Sequence, residues 1–221
     1  MKILLIRHAE SLGNRQQQMS GQLNDPLSPH GVLQAQVLAQ YLSQSWLPTH
    51  LYSSPLSRAM ATADLLMAAH LTLEDPLIVE RAEALMEIHN GIFQGLTWLE
   101  AEQQYPQLCQ QLMTSTDWIP IPEGETWQDC CDRTQNFLQT LYQSHAQTDQ
   151  IWIVTHGGIL QYLIAAILGT PVIWNISIKN TALFEFELNS APPDPSCSQR
   201  CRILRFNQRP HLGGDHSLEA D

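Results

Sequence analysis

The chain has 221 residues, 43% of them hydrophobic and 15% charged, which suits one soluble domain with a sizeable core and excludes a disordered chain. Eleven Lys and Arg against twenty-two Asp and Glu leave a formal charge of −11, so neither nucleic acid nor an anionic membrane surface is expected as a partner. A small anion remains allowed, because it needs only a few cations gathered in one pocket.

The N-terminal residues 3–6 (ILLI) form an unbroken apolar run that ends on Arg7 and His8. Four apolar residues are too few for a signal peptide, and the run predicts a strand buried on both faces. Ser28 as cap and Pro29 as first residue predict a helix over 29–43, with Val32, Ala35, Leu38, Ala39 and Leu42 on helical spacing. Residues 51–53 predict a short strand, and Ser54 with Pro55 the start of a helix over 55–69. Thr97 with Glu100 and Thr126 with Asp129 form capping boxes, the second opening a helix over 127–144. Residues 96–122 carry no strand pattern and read as a helical lid. A second apolar run, 151–154 (IWIV), ends on Thr155, His156, Gly157 and Gly158 and leads into an apolar helix over 159–168 that is too short to span a bilayer. Strands over 182–188 and 202–206 flank a Pro-rich stretch at 190–199 that reads as a surface loop.

Strands alternating with helices predict an α/β fold: a three-layer α/β/α arrangement with a mainly parallel central sheet and a helical lid insertion at about 96–122. Residues 1–207 read as a single domain and 208–221 as a mobile tail. An exposed edge strand admits a homodimer. Cys109, Cys130, Cys131, Cys197 and Cys201 show no CxxC pair and read as reduced thiols of a cytoplasmic protein, with a Cys197–Cys201 disulfide left open.

Open α/β sheets bind ligands at the carboxyl ends of their strands, and three predicted strands deliver polar groups there. Arg7 and His8 end the first, Arg58 lies in the first turn of the helix after 51–53, and His156 with the Gly157 and Gly158 amides ends the run at 151–154. Guanidinium forks and helix N-terminal N–H groups suit an anion with three exposed oxygens, which makes a phosphoryl group the natural guest. Two neighbouring arginines disfavour a further positive charge on His8, so its pKa is expected to be depressed. His30, His50, His70, His145 and His216 are assigned to the surface, and Ser57 and Thr155 to local turn bonds.

The run Leu5-Ile6-Arg7-His8-Ala9-Glu10-Ser11, with Asn14 following, resembles the RHGE motif of the histidine phosphatase superfamily, the phosphoglycerate-mutase-like group. Gly21, Asp25, Pro26, Leu27, Ser28, Gly31, Gln34 and Ala35 resemble its "D.PLT..G..QA" segment, and SSPLSRAMATA its second-arginine motif at Arg58. Leu85, Glu87, Gly91 and Gly95 match its acidic loop, Pro122-Glu123-Gly124-Glu125-Thr126 its "P.GES", and VTHGG its second histidine. The likeness covers about residues 3–165. Ala9, Ser28 and Gln94 depart from the family's usual glycine, threonine and glutamate, and the last bears on pocket charge.

By this resemblance His8 is the nucleophile that forms a phosphohistidine. Arg7, Arg58, His156, the Gly157 amide and Asn14 hold phosphate oxygens, and Glu87 is the general acid and base. Gln22, His89 and His211 are further candidates for substrate contact, His211 from a tail folded over the pocket. No metal and no cofactor is implied, and the partner is a small phosphorylated metabolite such as phosphoserine, a phosphoglycerate-type acid or a sugar phosphate. Three alternatives stay open: a phosphomutase, a non-catalytic phosphate-binding scaffold, and a phosphoprotein phosphatase. The short stretch between Glu87 and His156 favours water over a second hydroxyl as acceptor.

Overall fold

The computed structural model describes residues 1–69, 77–115, 118–188 and 201–213. In chain order the elements are β1 (Lys2–Arg7), α1 (Leu12–Arg15), α2 (Pro29–Leu42), β2 (His50–Ser53), α3 (Ser57–Ala68), β3 (Val79–Arg81), α4 (Trp98–Gln104), α5 (Pro106–Thr114), α6 (Trp127–Ser144), β4 (Gln150–Thr155), α7 (Gly157–Leu168), β5 (Leu183–Leu188) and β6 (Cys201–Gln208). They build one sheet of order β3-β2-β4-β1-β5-β6. Its first four strands run parallel, and β5 and β6 add on antiparallel.

Because side chains alternate across a strand, the two central apolar runs feed two separate cores. Ile3, Leu5, Ile151 and Ile153 point to one face, where Leu138 and Leu141 of α6 and Leu160, Leu163 and Ile164 of α7 cover them. Leu4, Ile6, Trp152 and Val154 point to the other, against Leu38 and Leu42 of α2 and Ala59, Ala63 and Leu66 of α3. The result is the three-layer α/β/α arrangement with a mainly parallel sheet. Among the described residues no helix is long and apolar enough to cross a membrane.

Helix boundaries follow the caps. Ser28 Oγ accepts from the Gly31 amide, and both expected capping boxes close, at Thr97 with Glu100 and at Thr126 with Asp129. The lid comprises α4 and α5, separated at Tyr105 and packed on a small core of Phe93, Ala101 and Cys109. Four expectations need correction. Helix α3 begins at Ser57 with Leu56 at its cap, two residues after the predicted Pro55; Ser54 Oγ meets His156 and the Leu56 amide in the turn ahead of the helix. Helix α7 begins at Gly157 rather than 159. Strand β3, a Val-Glu-Arg triplet without apolar alternation, was not anticipated. The start of the expected tail is ordered, since Gln208 closes β6 and residues 210–212 form a 3-10 turn, while 214–221 lie outside the described residues. The Pro-rich stretch and the Cys197–Cys201 pairing lie outside the described residues, as do His70 and His216.

The register positions the site. In the parallel pair of β1 and β4, Arg7 stands opposite Thr155, so His8 and His156 leave the sheet side by side. In the pair of β2 and β4, Ser53 stands opposite Val154, which carries Ser54 up to the same edge.

Candidate active site

His8 is 2% exposed, and its Nδ1 lies 2.7 Å from the carbonyl oxygen of Ala9. A carbonyl only accepts, so Nδ1 carries the proton and Nε2 keeps its lone pair. Burial, then Arg7, then Arg58 push the His8 pKa well below the ordinary histidine value, against a smaller raising effect of the Ala9 bond. The backbone behind it is held by Asn180, whose Nδ2 donates to the His8 carbonyl, and by Thr181, whose N–H donates to the Arg7 carbonyl.

His156 is fully buried, with its ring centroid 4.9 Å from that of His8. Its Nδ1 accepts from Arg58 Nε at 3.2 Å, so Nε2 carries the proton and donates to Ser54 Oγ at 2.7 Å. Burial first, then His8 and the two arginines, hold it neutral by lowering its pKa well below the usual value. In this state His156 stands behind the nucleophile and orients Arg58, and both ring nitrogens are engaged by protein.

The two arginines are bound differently. Arg58, 2% exposed, uses four of its five N–H groups on His156, Leu23 O, Asp25 Oδ1 and Gly21 O, which leaves one on Nη2. Arg7 donates through Nη1 to the Ile178 carbonyl, and its buried Nε has no partner among the described residues. The guanidinium packs beside Gly157, where a Cβ would sit 3.4 Å from Arg7 Cζ, at van der Waals contact.

Glu87 lies on the N-terminus of α7. Its Oε2 accepts from the Gly158 amide at 3.0 Å, and its Oε1 from the Ile159 and Ile88 amides, each at 3.0 Å. Here the helix dipole favours a negative group. A Cβ at Gly158 would come within 2.6 Å of Glu87 Oε1, so the glycine makes room for the carboxylate. The loop bearing Glu87 is braced by Arg133 of α6, which donates to the carbonyls of Ala84, Met86 and Glu87 and pairs bidentately with Glu125.

Arg7, His8, Asn14, Arg58, Glu87 and Gly158 line one cavity of about 280 Å³, together with Gln18, Met19, Ser20, Gly21, Ile88 and Asn90. Asn14 Oδ1 accepts from the Ser11 amide and from Asn180 Nδ2, which leaves its own Nδ2 donors for the cavity. A lone-pair nitrogen, two guanidinium groups and a carboxylate thus share one small, half-open space. That set can bind a phosphoryl group, attack it and handle a proton.

A family model described as histidine phosphatase superfamily (branch 1) matches residues 3–195. The chain belongs to the histidine phosphatase superfamily. It is 34% identical over 161 residues to a metal-independent phosphoserine phosphatase of Arabidopsis thaliana, a match that spans 72% of this chain and 66%, just under two thirds, of that protein. Phosphoserine phosphatase 1 of Hydrogenobacter thermophilus is 28% identical over 96% of this chain and 95% of its own length. Among solved structures, a mycobacterial glucosyl-3-phosphoglycerate phosphatase in complex with VO3 superposes with a TM-score of 0.78 at 26% identity, covering 94% of this chain and 99% of that one. As a histidine phosphatase, the chain is a phosphoric monoester hydrolase.

Three residues that the sequence offered as substrate contacts of this histidine phosphatase lie elsewhere. Gln22 donates through Nε2 to the Glu87 carbonyl and to Glu125, bracing the acidic loop rather than lining the cavity. His89 is turned to its own loop, where Nδ1 accepts from the Gly91 amide, and its neighbours Ile88 and Asn90 line the cavity instead. His211 lies 2.9 Å from Thr181 Oγ1 and beside Tyr41 of α2, so the turn at 210–212 lies behind the nucleophile, not over the pocket; burial pushes the His211 pKa down to about 4. Gln94 is likewise off the cavity lining and accepts from the Gln22 amide. Sequence reasoning missed Ser54 as the partner of His156, and it missed Asn180 and Arg133, whose bonds to backbone carbonyls and to the Asn14 and Glu125 side chains arise only where topology brings distant segments close. Glu125 was visible only as part of a motif.

Proposed function

We propose that this chain hydrolyses a small phosphomonoester, with phosphoserine or a phosphoglycerate-type acid as the substrate class, through a phosphohistidine on His8. The observation that carries the reading is the His8 tautomer: Nδ1–H is committed to the Ala9 carbonyl, and Nε2 is left with a lone pair in a cavity that also holds Arg7 and Glu87. In the first step Nε2 forms a bond to phosphorus as the P–O ester bond breaks, and Glu87, whose protonation the negative charge of the bound ester promotes against the pull of the three amides, passes its proton to the leaving alkoxide. In the second, Glu87 takes a proton from water, the water oxygen bonds to phosphorus, the N–P bond breaks, and inorganic phosphate leaves with His8 neutral again. Arg7 and the remaining Arg58 N–H steady the equatorial oxygens, with the Asn14 amide at the edge. His156 keeps Arg58 aligned and the nucleophile unprotonated. The positive charge comes from side chains, so the reaction runs without metal or cofactor.

A small substrate is supported by the cavity volume of about 280 Å³ and by the lid helices tied to its lining, where the Met19 amide donates to the Leu96 carbonyl. The phosphoserine class is supported by the names of the Arabidopsis and Hydrogenobacter relatives. The test is a panel of phosphorylated metabolites assayed with EDTA present. The reading expects phosphoserine or a phosphoglycerate-type acid to release phosphate fastest and EDTA to leave the rate unchanged. Isomerisation without release would mean a mutase, and no turnover of any ester would mean a binding protein.

A further inference from the structure

At the opposite, amino end of the sheet from the cavity, three side chains from separate segments converge. His50 opens β2, His145 is the C-cap of α6, and Asp149 immediately precedes β4. Asp149 Oδ2 lies 3.5 Å from His50 Nε2 and 3.2 Å from His145 Nδ1, and the three ligand atoms lie within 4.8 Å of one another. Tetrahedral Zn²⁺ with bonds of about 2.0–2.1 Å places its ligand atoms about 3.3 Å apart, so little movement is needed to close three such bonds.

The outer nitrogen of His145 has the partner that a ligating histidine requires, since Nε2 lies 2.9 Å from Tyr52 Oη, and the Tyr52 hydroxyl bonds to Glu80. His50 Nδ1 lies 3.9 Å from Glu80 Oε1, too far for a direct hydrogen bond but on the same carboxylate's side. Asp149 is also preset, since its Oδ2 accepts from the Ala146 amide. The His145 side chain is only 4% exposed, which corrects its assignment to the surface, while His50 at 36% leaves an opening for water as a fourth ligand. The site caps the carboxyl end of an 18-residue helix, where the dipole favours a cation.

We propose that His50, His145 and Asp149 form a binding site for a divalent transition-metal ion, Zn²⁺ or Co²⁺, remote from the phosphoryl cavity and independent of catalysis. Two imidazoles exclude Mg²⁺ and Ca²⁺, which prefer oxygen. On binding, the His145 proton resides on Nε2 and points to Tyr52, freeing Nδ1 for the metal.

The test is equilibrium dialysis of the EDTA-stripped full chain against Zn²⁺, followed by thermal unfolding, with His50→Ala, Asp149→Asn and Tyr52→Phe. Wild type should retain one equivalent and unfold at a higher temperature with Zn²⁺ present. The two ligand variants should lose both effects, and Tyr52→Phe should weaken binding about tenfold. With Co²⁺ the wild-type spectrum should show d–d bands of nitrogen and oxygen ligands without thiolate charge transfer, a readout that needs no variant to fold. The proposal is overturned if wild type binds no Zn²⁺ at tenfold excess, if the ligand variants retain it, or if the spectrum shows thiolate. Phosphate release should be the same with and without the metal.

Discussion

A buried imidazole serves as a nucleophile only if one nitrogen keeps its lone pair and the ring stays neutral. Both conditions are met at His8 by neighbours within one residue and across one strand. The Ala9 carbonyl selects the tautomer, and burial with Arg7 and Arg58 opposes protonation. The same logic governs His156, whose tautomer is set from the other side by Arg58. Unfolded histidines titrate near about 6.5, and these two fold with lowered values, so the unfolded chain takes up protons first as pH falls. Their contribution to stability is therefore fully present above that pH and declines as pH drops toward the folded values. We expect the His8 and His156 ring nitrogen resonances to show no titration step near pH 6.5, and the melting temperature to fall as the solution is made more acidic than that. A step near 6.5 in either ring would contradict the electrostatic account.

At the level of elements, helix α7 does more than cover the sheet. Its first amides hold Glu87, and Gly158 leaves the space that the carboxylate occupies. Gly158→Ala should therefore push Glu87 off the amides and lower Tm modestly, because bonds between those amides and a carboxylate are lost. General acid–base catalysis contributes about 10²–10⁴-fold, so we expect the variant to lose at least tenfold in kcat on alkyl phosphates and less on p-nitrophenyl phosphate. Glu87→Gln should show the same pattern, and equal losses on both esters would speak against a proton-donor role. The elements that sequence made legible are those with a local signal: two apolar runs, a Ser-Pro start and two capping boxes. Strand β3 has no such signal, because three residues at the sheet edge draw their order from β2. The residues that form the cavity wall were legible as motifs, whereas the braces were not. Arg133, Asn180 and Ser54 make bonds that no spacing along the chain encodes. His211 was misplaced for the same reason, since only the path of β6 decides on which side its turn lands.

For the whole molecule, function follows from strand register. Pairing Arg7 with Thr155 and Ser53 with Val154 sets His8, His156 and Ser54 in a row at one sheet edge, and α3 and α7 then deliver Arg58 and the Glu87-binding amides to it. A chain of net charge −11 can hold a phosphate because its cations are local. Spontaneous phosphomonoester hydrolysis is among the slowest of reactions, with enzymatic accelerations reaching the order of 10²¹, so a covalent route within a fixed charge clamp is the economical solution. The decisive measurement is identification of the phosphorylated residue after rapid alkaline quench of the enzyme turning over p-nitrophenyl phosphate. We predict phosphate on Nε2 of His8, found by mass spectrometry of that peptide, and neither phosphopeptide nor turnover with His8→Ala. Phosphate on any other residue, or turnover at a comparable rate in that variant, would contradict the account.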